Sequence, residues 1–122
     1  MKFAQDSQED GYVITAYDSS SITINGKMFS QSLVVANTQL NENWDIASIE
    51  LLTPNHIDLV LSFKPELILI GTGSKLTFPA IEVYAGIIER GIGVDFMDTG
   101  AACRTYNILM SEGRDVVAGL IL

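Results

Sequence analysis

Residues with chemically useful groups are concentrated in two short stretches of the second half of the chain. The first stretch, Gly71-Thr72-Gly73, follows four apolar residues and precedes a predicted helix. The second begins with two helix-capping residue types at 98 and 99 and continues to a thiol, a guanidinium and a carboxamide. Glycine amides, hydroxyls and guanidinium groups bind anions and small polar metabolites. The candidate ligand-binding residues are Gly71, Thr72, Gly73, Asp98, Thr99, Cys103, Arg104 and Asn107.

The Gly-Thr-Gly stretch lies where a strand is expected to meet a helix, and ligands bind at that edge of open α/β sheets. It does not complete a dinucleotide fingerprint, because position 76 is leucine. The position of Lys75 has the wrong spacing for a P-loop. The alternative is a tight turn that needs glycine only for its backbone dihedral angles. The sequence leaves both interpretations open.

The second stretch follows another predicted strand, so its helix would begin at the same edge of the sheet. Free N–H groups of residues 100–102 would then point outward, because the first amides of a helix have no partner within it. Arg104 would add a forked donor suited to a carboxylate or a phosphate, and Asn107 would complete a small polar pocket. This arrangement predicts a site for a small anion.

The same residues also have a purely structural interpretation. Thr99 would cap the helix, and Asn107 would bind neighbouring backbone groups. Arg104 would form an ion pair with Asp95 or Asp98. Polar pairs and binding sites use the same residue types, so the sequence does not separate the two interpretations.

Cys103 is the only cysteine and lies in the first turn of the predicted helix, where the helix dipole and Arg104 would lower its pKa. Its small neighbours at 101 and 102 instead favour a buried contact with the sheet. A nucleophile needs a base, and the only histidine, His56, lies on a remote helix where a solvated or capping role is expected. We therefore predict slow alkylation of Cys103, no catalytic residue, no metal site and no cofactor.

The charge and composition exclude several classes of protein. The chain has 122 residues, a formal net charge of −8 and a sequence pI near 4.3, which suits one domain with a real core. A negative field repels nucleic-acid phosphates and anionic membranes. The N-terminus lacks the pattern of a signal or transit peptide, and no apolar run approaches the roughly 18 residues of a spanning helix. With a single cysteine, these features favour a soluble cytoplasmic protein.

Two βαβ units are predicted at the C-terminal end. Strand 92–97, helix 100–112 and strand 116–122 form one unit, with Gly113 closing the helix. Upstream, strand 67–70 and a helix that opens at Phe78-Pro79 and ends at Gly91 lead into the same strand 92–97. Parallel strands joined in this way belong to one sheet.

The first half is predicted to be rich in strands. Asn25-Gly26 lies between two β-prone runs and predicts a type I′ hairpin. The other predicted elements are a frayed segment at 1–10, a strand at 11–17, a turn at 18–21, a strand at 33–36, a polar loop at 37–43, an extended segment at 44–52 and a helix from Pro54 to about Ser62. Together the elements predict a single α/β domain of three layers, with a mixed central sheet, C-terminal βαβ units and an added N-terminal β-hairpin.

The C-terminal sequence also resembles a known family. The residues that carry the resemblance are Met97, Thr99, the run 102–107, Glu112-Gly113-Arg114 and Gly71–Gly73. They are similar to the Mth-type family of unknown function, which includes a mitochondrial assembly factor for respiratory complex I and an adipogenesis-associated protein. The similarity extends more weakly over most of the chain, and Asp95 stands where the family often has glutamate.

The resemblance implies a compact three-layer α/β domain with a mixed sheet and no established catalytic residues. It also implies a protein partner, as in respiratory-complex assembly, and by analogy a location at the inner membrane through that partner or in the mitochondrial matrix. Two functions follow from the sequence. The first is a non-enzymatic interaction or assembly protein, and the second is a small-anion or small-metabolite binding protein or enzyme that uses Gly71–Gly73, Thr99 and Arg104.

Overall fold

The computed structural model describes residues 11–122, and the predicted frayed segment at 1–10 lies outside them. Within the described residues the chain forms eight strands and three α-helices. The strands are β1 (Ile14–Tyr17), β2 (Ile22–Ile24), β3 (Lys27–Phe29), β4 (Leu33–Ala36), β5 (Leu40–Asn41), β6 (Leu67–Gly71), β7 (Gly93–Met97) and β8 (Val116–Leu120). The helices are α1 (Pro54–Leu61), α2 (Ile81–Glu89) and α3 (Thr99–Ser111), and a 3₁₀ turn spans Ile49–Leu51.

The main sheet has five strands in the order β5-β4-β8-β6-β7. Strand β6 pairs in parallel with β7 on one side and β8 on the other, whereas β4 pairs antiparallel with β8 and β5. The crossovers β6-α2-β7 and β7-α3-β8 are the two predicted βαβ units. Because β6 separates β7 from β8, the second crossover passes over β6 and returns to the centre of the sheet. The predicted mixed sheet is confirmed.

The two faces of this sheet are covered by different elements. Ile68 and Ile70 of β6 pack with α1, α2 and the segment after β5. Leu69, between them, points to the other face and packs with α3 and the small sheet β1-β2-β3. Alternation of side chains along a strand produces this division. The predicted three-layer α/β domain is confirmed, and α2 and α3 lie on opposite faces.

The turn of the N-terminal hairpin is the one predicted from its dipeptide. Asn25 has φ 50° and Gly26 has φ 87°, and the type I′ turn requires positive φ at both positions. Ile24 and Lys27 flank the turn as partners in an antiparallel register. The Asn25 side chain also accepts a hydrogen bond from the Val13 N–H at 2.8 Å, which fixes β1 against the turn.

Two consecutive segments, 37–43 and 44–52, differ from the prediction. The polar loop at 37–43 contains β5, because Ala36 N–H binds Gln39 O at 2.8 Å and turns the chain back onto β4. The segment 44–52 is not extended; it is irregular and ends in the 3₁₀ turn. Its buried apolar residues form a plug on one face of the sheet, where the Trp44 ring packs on Gly119. A Cβ atom at Gly119 would lie 2.7 Å from that ring, so only glycine fits there. The plug residues are Trp44, Ile46, Ile49 and Leu52.

The helix boundaries match the prediction in two cases out of three. Helix α1 starts at Pro54 behind Thr53, whose N–H donates to Nδ1 of His56 at 3.0 Å, so the histidine caps the helix as predicted. Helix α3 ends before Gly113, which has φ 81°. Helix α2 begins at Ile81 and not at Phe78-Pro79. The preceding connection is held in a loop, because the Thr72 hydroxyl donates to Lys75 O and accepts from Thr77 N–H.

Candidate functional site

The two stretches singled out in the sequence lie side by side at the carboxyl ends of β6 and β7. Gly71 pairs with Met97 at the end of the parallel ladder. Beyond it, Thr72 N–H donates to Met97 O at 2.8 Å, and Thr99 N–H donates to Gly73 O at 2.8 Å. The loop after β6 then leads to α2 on one face, while the loop after β7 leads to α3 on the other. Adjacent strands whose loops diverge in this way leave a crevice between them.

Thr99 lies at the centre of this junction. Its hydroxyl accepts a hydrogen bond from Gly73 N–H at 2.8 Å and donates one to Ile121 O at 2.8 Å. The helix cap is Asp98, whose Oδ1 accepts from Ala101 N–H at 2.9 Å, so the structural alternative in which Thr99 caps the helix is wrong. Gly71 allows the close approach, because a Cβ atom there would lie 2.9 Å from the Thr99 Cα atom.

The helix end offers fewer free amides than the sequence predicted. Ala101 N–H binds the side chain of Asp98, and Ala102 N–H binds its carbonyl at 2.9 Å. Among the three amides predicted to point outward, only that of Gly100 has no partner within residues 11–122. The Asp98 carboxylate therefore already occupies the place at the helix N-terminus where an external anion would bind.

Arg104 has a different partner from either carboxylate suggested by the sequence. Its Nη1 donates a hydrogen bond to the hydroxyl of Tyr17 at the end of β1, and its guanidinium carbon lies 5.9 Å from the centroid of that ring. Hydrogen bonding to Tyr17 raises the pKa of Arg104 above its usual range. Arg104 thus joins α3 to the hairpin at an exposed position.

Cys103 and Asn107 do not line the crevice. Cys103 is fully buried among the apolar residues between α3 and the two sheets. This burial raises the pKa of its thiol to about 12, although the charge of Arg104 acts in the opposite direction. Asn107 binds the backbone of Ile14 with both ends of its carboxamide. A helix rises 1.5 Å per residue, so position 107 lies about 12 Å along α3 from Thr99.

A cleft of about 640 Å³ opens above the junction of β6 and β7. Four of the eight candidate residues line it, namely Thr72, Gly73, Asp98 and Thr99. Its other walls come from residues outside the candidate set: Tyr17–Ser19, Ala47–Glu50, the loop residues Ser74, Lys75 and Thr77, Gly100, and Ile121 with Leu122. The first two are remote in sequence, and only the tertiary fold brings them to this edge.

The charge of the cleft is negative. One lining residue, Lys75, carries a positive charge, whereas Asp18, Glu50 and Asp98 carry carboxylates. The Ser20 N–H and the Ser21 hydroxyl bind the carboxylate of Asp18 and lower its pKa, so it is ionised at neutral pH. Within residues 11–122, no group of three or more His, Cys, Asp or Glu side chains is arranged to hold a metal ion. The cleft favours a neutral or cationic ligand over an anion.

A second feature is an exposed apolar surface formed by α2 and by the connection that precedes it. Phe78, Ile81 and Ile88 are 64%, 58% and 51% exposed, and we name this set the outer apolar patch. Ile81 and Ile88 lie on one side of α2, because seven residues make almost two helical turns. Phe78 packs edge-on against Phe96 of β7, with 5.9 Å between ring centroids. The patch therefore lies next to the outermost strand of the sheet.

None of the helices in the described part of the chain has the length and apolar character needed to cross a bilayer.

Comparison with known proteins gives a consistent set of relatives. Residues 14–121 match the model of a family described as "Protein of unknown function (DUF498/DUF598)". A "13 kDa major membrane protein" of Francisella tularensis subsp. holarctica is 42% identical over 89 residues, which cover 72% of each chain. The "NADH dehydrogenase [ubiquinone] 1 alpha subcomplex assembly factor 3" of Rattus norvegicus is 32% identical over 111 residues, which cover 88% of this chain and 59% of the rat protein. This chain thus corresponds to little more than half of that relative.

Solved structures of related proteins have the same fold. A protein from Bordetella parapertussis is 34% identical, with a TM-score of 0.86 over 91% of this chain and 95% of the other. A protein from Bordetella pertussis described as a Mth938-like domain is 27% identical, with a TM-score of 0.79 over 94% of this chain and 86% of the other. The Mth-type resemblance found in the sequence is confirmed.

Proposed function

This chain belongs to the DUF498/DUF598 family of proteins of unknown function, and we propose that it is a non-enzymatic interaction domain that assists protein assembly. The single observation that carries the proposal is the outer apolar patch. Large apolar side chains that are more than half exposed and lie on the same surface commonly mark a protein-binding site. Serving as a docking site would explain why Phe78, Ile81 and Ile88 are not buried.

The name of the rat relative supports the assembly role, since that protein is described as an assembly factor of NADH dehydrogenase. We propose that the partner of this chain is likewise a subunit or assembly intermediate of a respiratory complex. The chain would work in the cytoplasm and reach the membrane periphery through this partner. We predict that nucleic acid is not a partner, because the net charge of −8 repels its phosphates.

The interaction proposal is tested by removing most of the patch without disturbing the core. Ile81→Ser combined with Ile88→Ser creates no cavity, because both side chains are more than half exposed. Phe78 is left in place because its ring packs against the buried Phe96. Met28→Ser is the matched control, since Met28 is 66% exposed on the hairpin and lies outside the patch. Each tagged variant is cross-linked in native extract, purified and compared by quantitative mass spectrometry.

We expect a defined set of partners that the double variant loses and the Met28→Ser variant keeps. Identical partner sets for all three proteins would contradict an interaction role for the patch. Melting curves of the three proteins check that loss of partners does not result from unfolding.

A second candidate function is the binding of a small metabolite in the cleft. The specific observation is a volume of about 640 Å³ at the divergence of two parallel strands, within the range of small-molecule sites. The proposed ligand-binding residues are those of the original set that line the cleft, Thr72, Gly73, Asp98 and Thr99, with Arg104 at its edge through Tyr17. Three carboxylates against one lysine favour a ligand that carries an amine or only hydroxyls.

This second candidate is tested by NMR titration of ¹⁵N-labelled protein with agmatine and with inorganic phosphate. Agmatine is expected to shift the amide signals of Gly73 and Gly100, and Glu50→Gln to weaken the effect, whereas Glu112→Gln outside the cleft leaves it unchanged. If the site instead binds anions as the sequence suggested, phosphate raises the melting temperature and Arg104→Ala abolishes that increase. No response to either compound would contradict a polar-ligand site.

A further inference from the structure

Strand β7 is the outermost strand of the main sheet, and one of its edges has no partner strand within residues 11–122. Gly93 N–H donates to Glu66 O at 3.2 Å, and Met97 O accepts from Thr72 N–H at 2.8 Å, so these residues direct their backbone groups toward β6. Successive residues of a strand direct their N–H and C=O groups to opposite edges. Val94 and Phe96 therefore present their backbone donors and acceptors at the outer edge.

The outer apolar patch lies on the α2 face of the sheet, where Phe78 contacts Phe96 of this strand. Tyr84 of α2 packs edge-on against Phe96 of β7, with ring centroids 4.9 Å apart, so the Tyr84 side of the helix lies above the outermost strand. Ile81 and Ile88 lie next to Tyr84 on the helix surface, on the side away from the buried Ile87. A strand added beside β7 would bring its α2-facing side chains close to Phe78 and to the side of α2 that carries Ile81 and Ile88.

The opposite face of the same edge carries a charge. Asp95 is exposed, and its side chain points to the α3 face because it alternates with Val94 and Phe96, which pack on the α2 side. An added strand would therefore meet apolar groups on one face and a carboxylate on the other. Its best complement alternates apolar and basic residues, since opposite charges on neighbouring strands stabilise the pair.

The same carboxylate disfavours a second copy of this chain as the occupant. Antiparallel pairing of β7 with its own copy across a two-fold axis centred on the strand would place Asp95 opposite Asp95. Like charges directly opposite on adjacent strands are destabilising. The charge at the edge thus selects a different, basic segment.

We propose that the outer edge of β7 binds an extended segment of a partner protein as a sixth strand, with apolar side chains under α2 and basic side chains beside Asp95. Strand addition of this kind draws affinity from main-chain hydrogen bonds and specificity from alternate side chains. The inference rests on the proposed interaction function, and it states which kind of partner that surface fits.

The probe is an acetylated and amidated seven-residue peptide of alternating valine and lysine, and the control peptide has glutamate in place of lysine. Hydrogen exchange of the backbone amides is followed by NMR in ¹⁵N-labelled protein. Saturation with the lysine peptide is expected to slow exchange of the Val94 and Phe96 amides by about tenfold or more, because they gain hydrogen bonds. The glutamate peptide is expected to leave both rates unchanged.

Charge reversal at the edge gives a second readout. Asp95→Lys is expected to weaken binding of the lysine peptide about fivefold, the range of cross-strand charge pairs. Glu112→Lys, which makes the same charge change at the exposed end of α3, is expected to change binding less than twofold, within the scatter of surface substitutions. Asp95→Asn keeps the side-chain size, and its loss of affinity for the lysine peptide should lie between those of the two lysine variants. The series therefore stays informative if Asp95→Lys folds poorly.

Peptide binding without protection of Val94 and Phe96, or equal binding of the two peptides, would overturn strand addition. Absence of peptide binding would also overturn it. If one of these peptide results is found and the patch variant nevertheless loses its native partners, the interaction function stands. Only the proposal that the partner binds as an added strand is then wrong. If the lysine peptide protects the Val94 and Phe96 amides but the patch variant keeps all of its native partners, the proposed function is refuted and strand addition is not.

Discussion

The hydroxyl of Thr99 lies 2.8 Å from the amide nitrogen of Gly73 and joins the first turn of α3 to the loop that follows β6. The same oxygen donates to Ile121 O, so one side chain links the ends of three strands across the sheet. Thr99 is almost fully buried, and neither of the backbone groups that it binds has another partner within residues 11–122. The Thr99 hydroxyl therefore adds two hydrogen bonds to the backbone bonds that hold the floor of the cleft.

Replacing Thr99 by valine is expected to lower the free energy of unfolding by about 1–3 kcal/mol, because it leaves a buried donor and acceptor unpaired. The change preserves the shape of the side chain, so packing is not the cause. Thr99→Ser keeps the hydroxyl and is expected to cost less than Thr99→Val. Urea denaturation of the three proteins measures the difference, and equal stability of the valine and wild-type proteins would show that the hydroxyl does not stabilise the junction.

Asn107 is expected to act as a structural link between α3 and the hairpin. Its Nδ2 donates to Ile14 O at 2.7 Å, and its Oδ1 accepts from Ile14 N–H at 3.0 Å. Asn107→Ala removes both bonds and is expected to destabilise the protein by about 1–3 kcal/mol. Asn107→Asp restores only the acceptor and should recover part of this loss. If hydrogen exchange in β1 and β2 does not accelerate in the alanine variant, Asn107 does not hold the hairpin.

Local signals in the sequence were sufficient for much of the fold. The turn at Asn25-Gly26 was predicted because positive φ is cheap for these residue types, and no distant contact overrides it. The C-terminal βαβ units were predicted for a similar reason, since their apolar periods and helix ends are local. The prediction of an extended segment at 44–52 is wrong, because the burial of these residues arises from contacts with Gly119 and the sheet, which no local pattern records.

For the candidate site, the sequence predicts which strand ends meet but not the contacts with residues remote in the chain. Adjacency of the two strand ends follows from the rule for parallel sheets, and Thr72, Gly73, Asp98 and Thr99 all line the cleft at these ends. The choice between Asp98 and Thr99 as the cap depended on which oxygen had a better partner elsewhere, and that partner, Ile121, lies 22 residues away. Similarly, Arg104 binds Tyr17 across 87 residues, a contact that the spacing of charges cannot reveal.

Cys103 is expected to react with iodoacetamide far more slowly in the native protein than in urea. The thiolate is the nucleophile, and a rise in pKa from 9.0 to about 12 lowers the thiolate fraction at neutral pH by about a thousandfold. Burial also blocks access of the reagent. Alkylation at the rate of a free peptide thiol would contradict the burial and restore Cys103 as a candidate nucleophile.

The same pKa shift predicts a loss of stability at alkaline pH. Below pH 9 the thiol is protonated in both states, so its contribution to stability is fully present. Between pH 9 and about 12 the unfolded chain releases the proton while the folded chain retains it, so stability falls. Burial raises the pKa of Tyr106 as well, and this residue adds to the fall at higher pH. Urea denaturation at pH 8 and pH 10.5 should show a smaller loss for Cys103→Ala than for the wild-type protein; an equal loss would mean that the thiol is not the group that titrates.

Replacement of glycine by alanine is expected to have opposite effects on stability at Gly26 and at Gly86. A Cβ atom at Gly26 or at Gly86 would have no neighbour within 4 Å, so packing does not distinguish the two positions. Gly26 has φ 87° in the hairpin turn, and alanine there is expected to cost about 1–2 kcal/mol because its Cβ atom disfavours positive φ. Gly86 lies inside α2, where alanine is expected to add about 0.5–1 kcal/mol through helix propensity.

Thermal unfolding of Gly26→Ala and Gly86→Ala therefore measures backbone preference at two exposed positions of one protein. We expect the melting temperature to fall in the first variant and to rise in the second. A rise for Gly26→Ala would show that the turn does not need positive φ at that position and would contradict the type I′ assignment. A fall for Gly86→Ala would contradict the open surroundings of this position, because an added methyl group meets nothing within 4 Å in the described part of the chain.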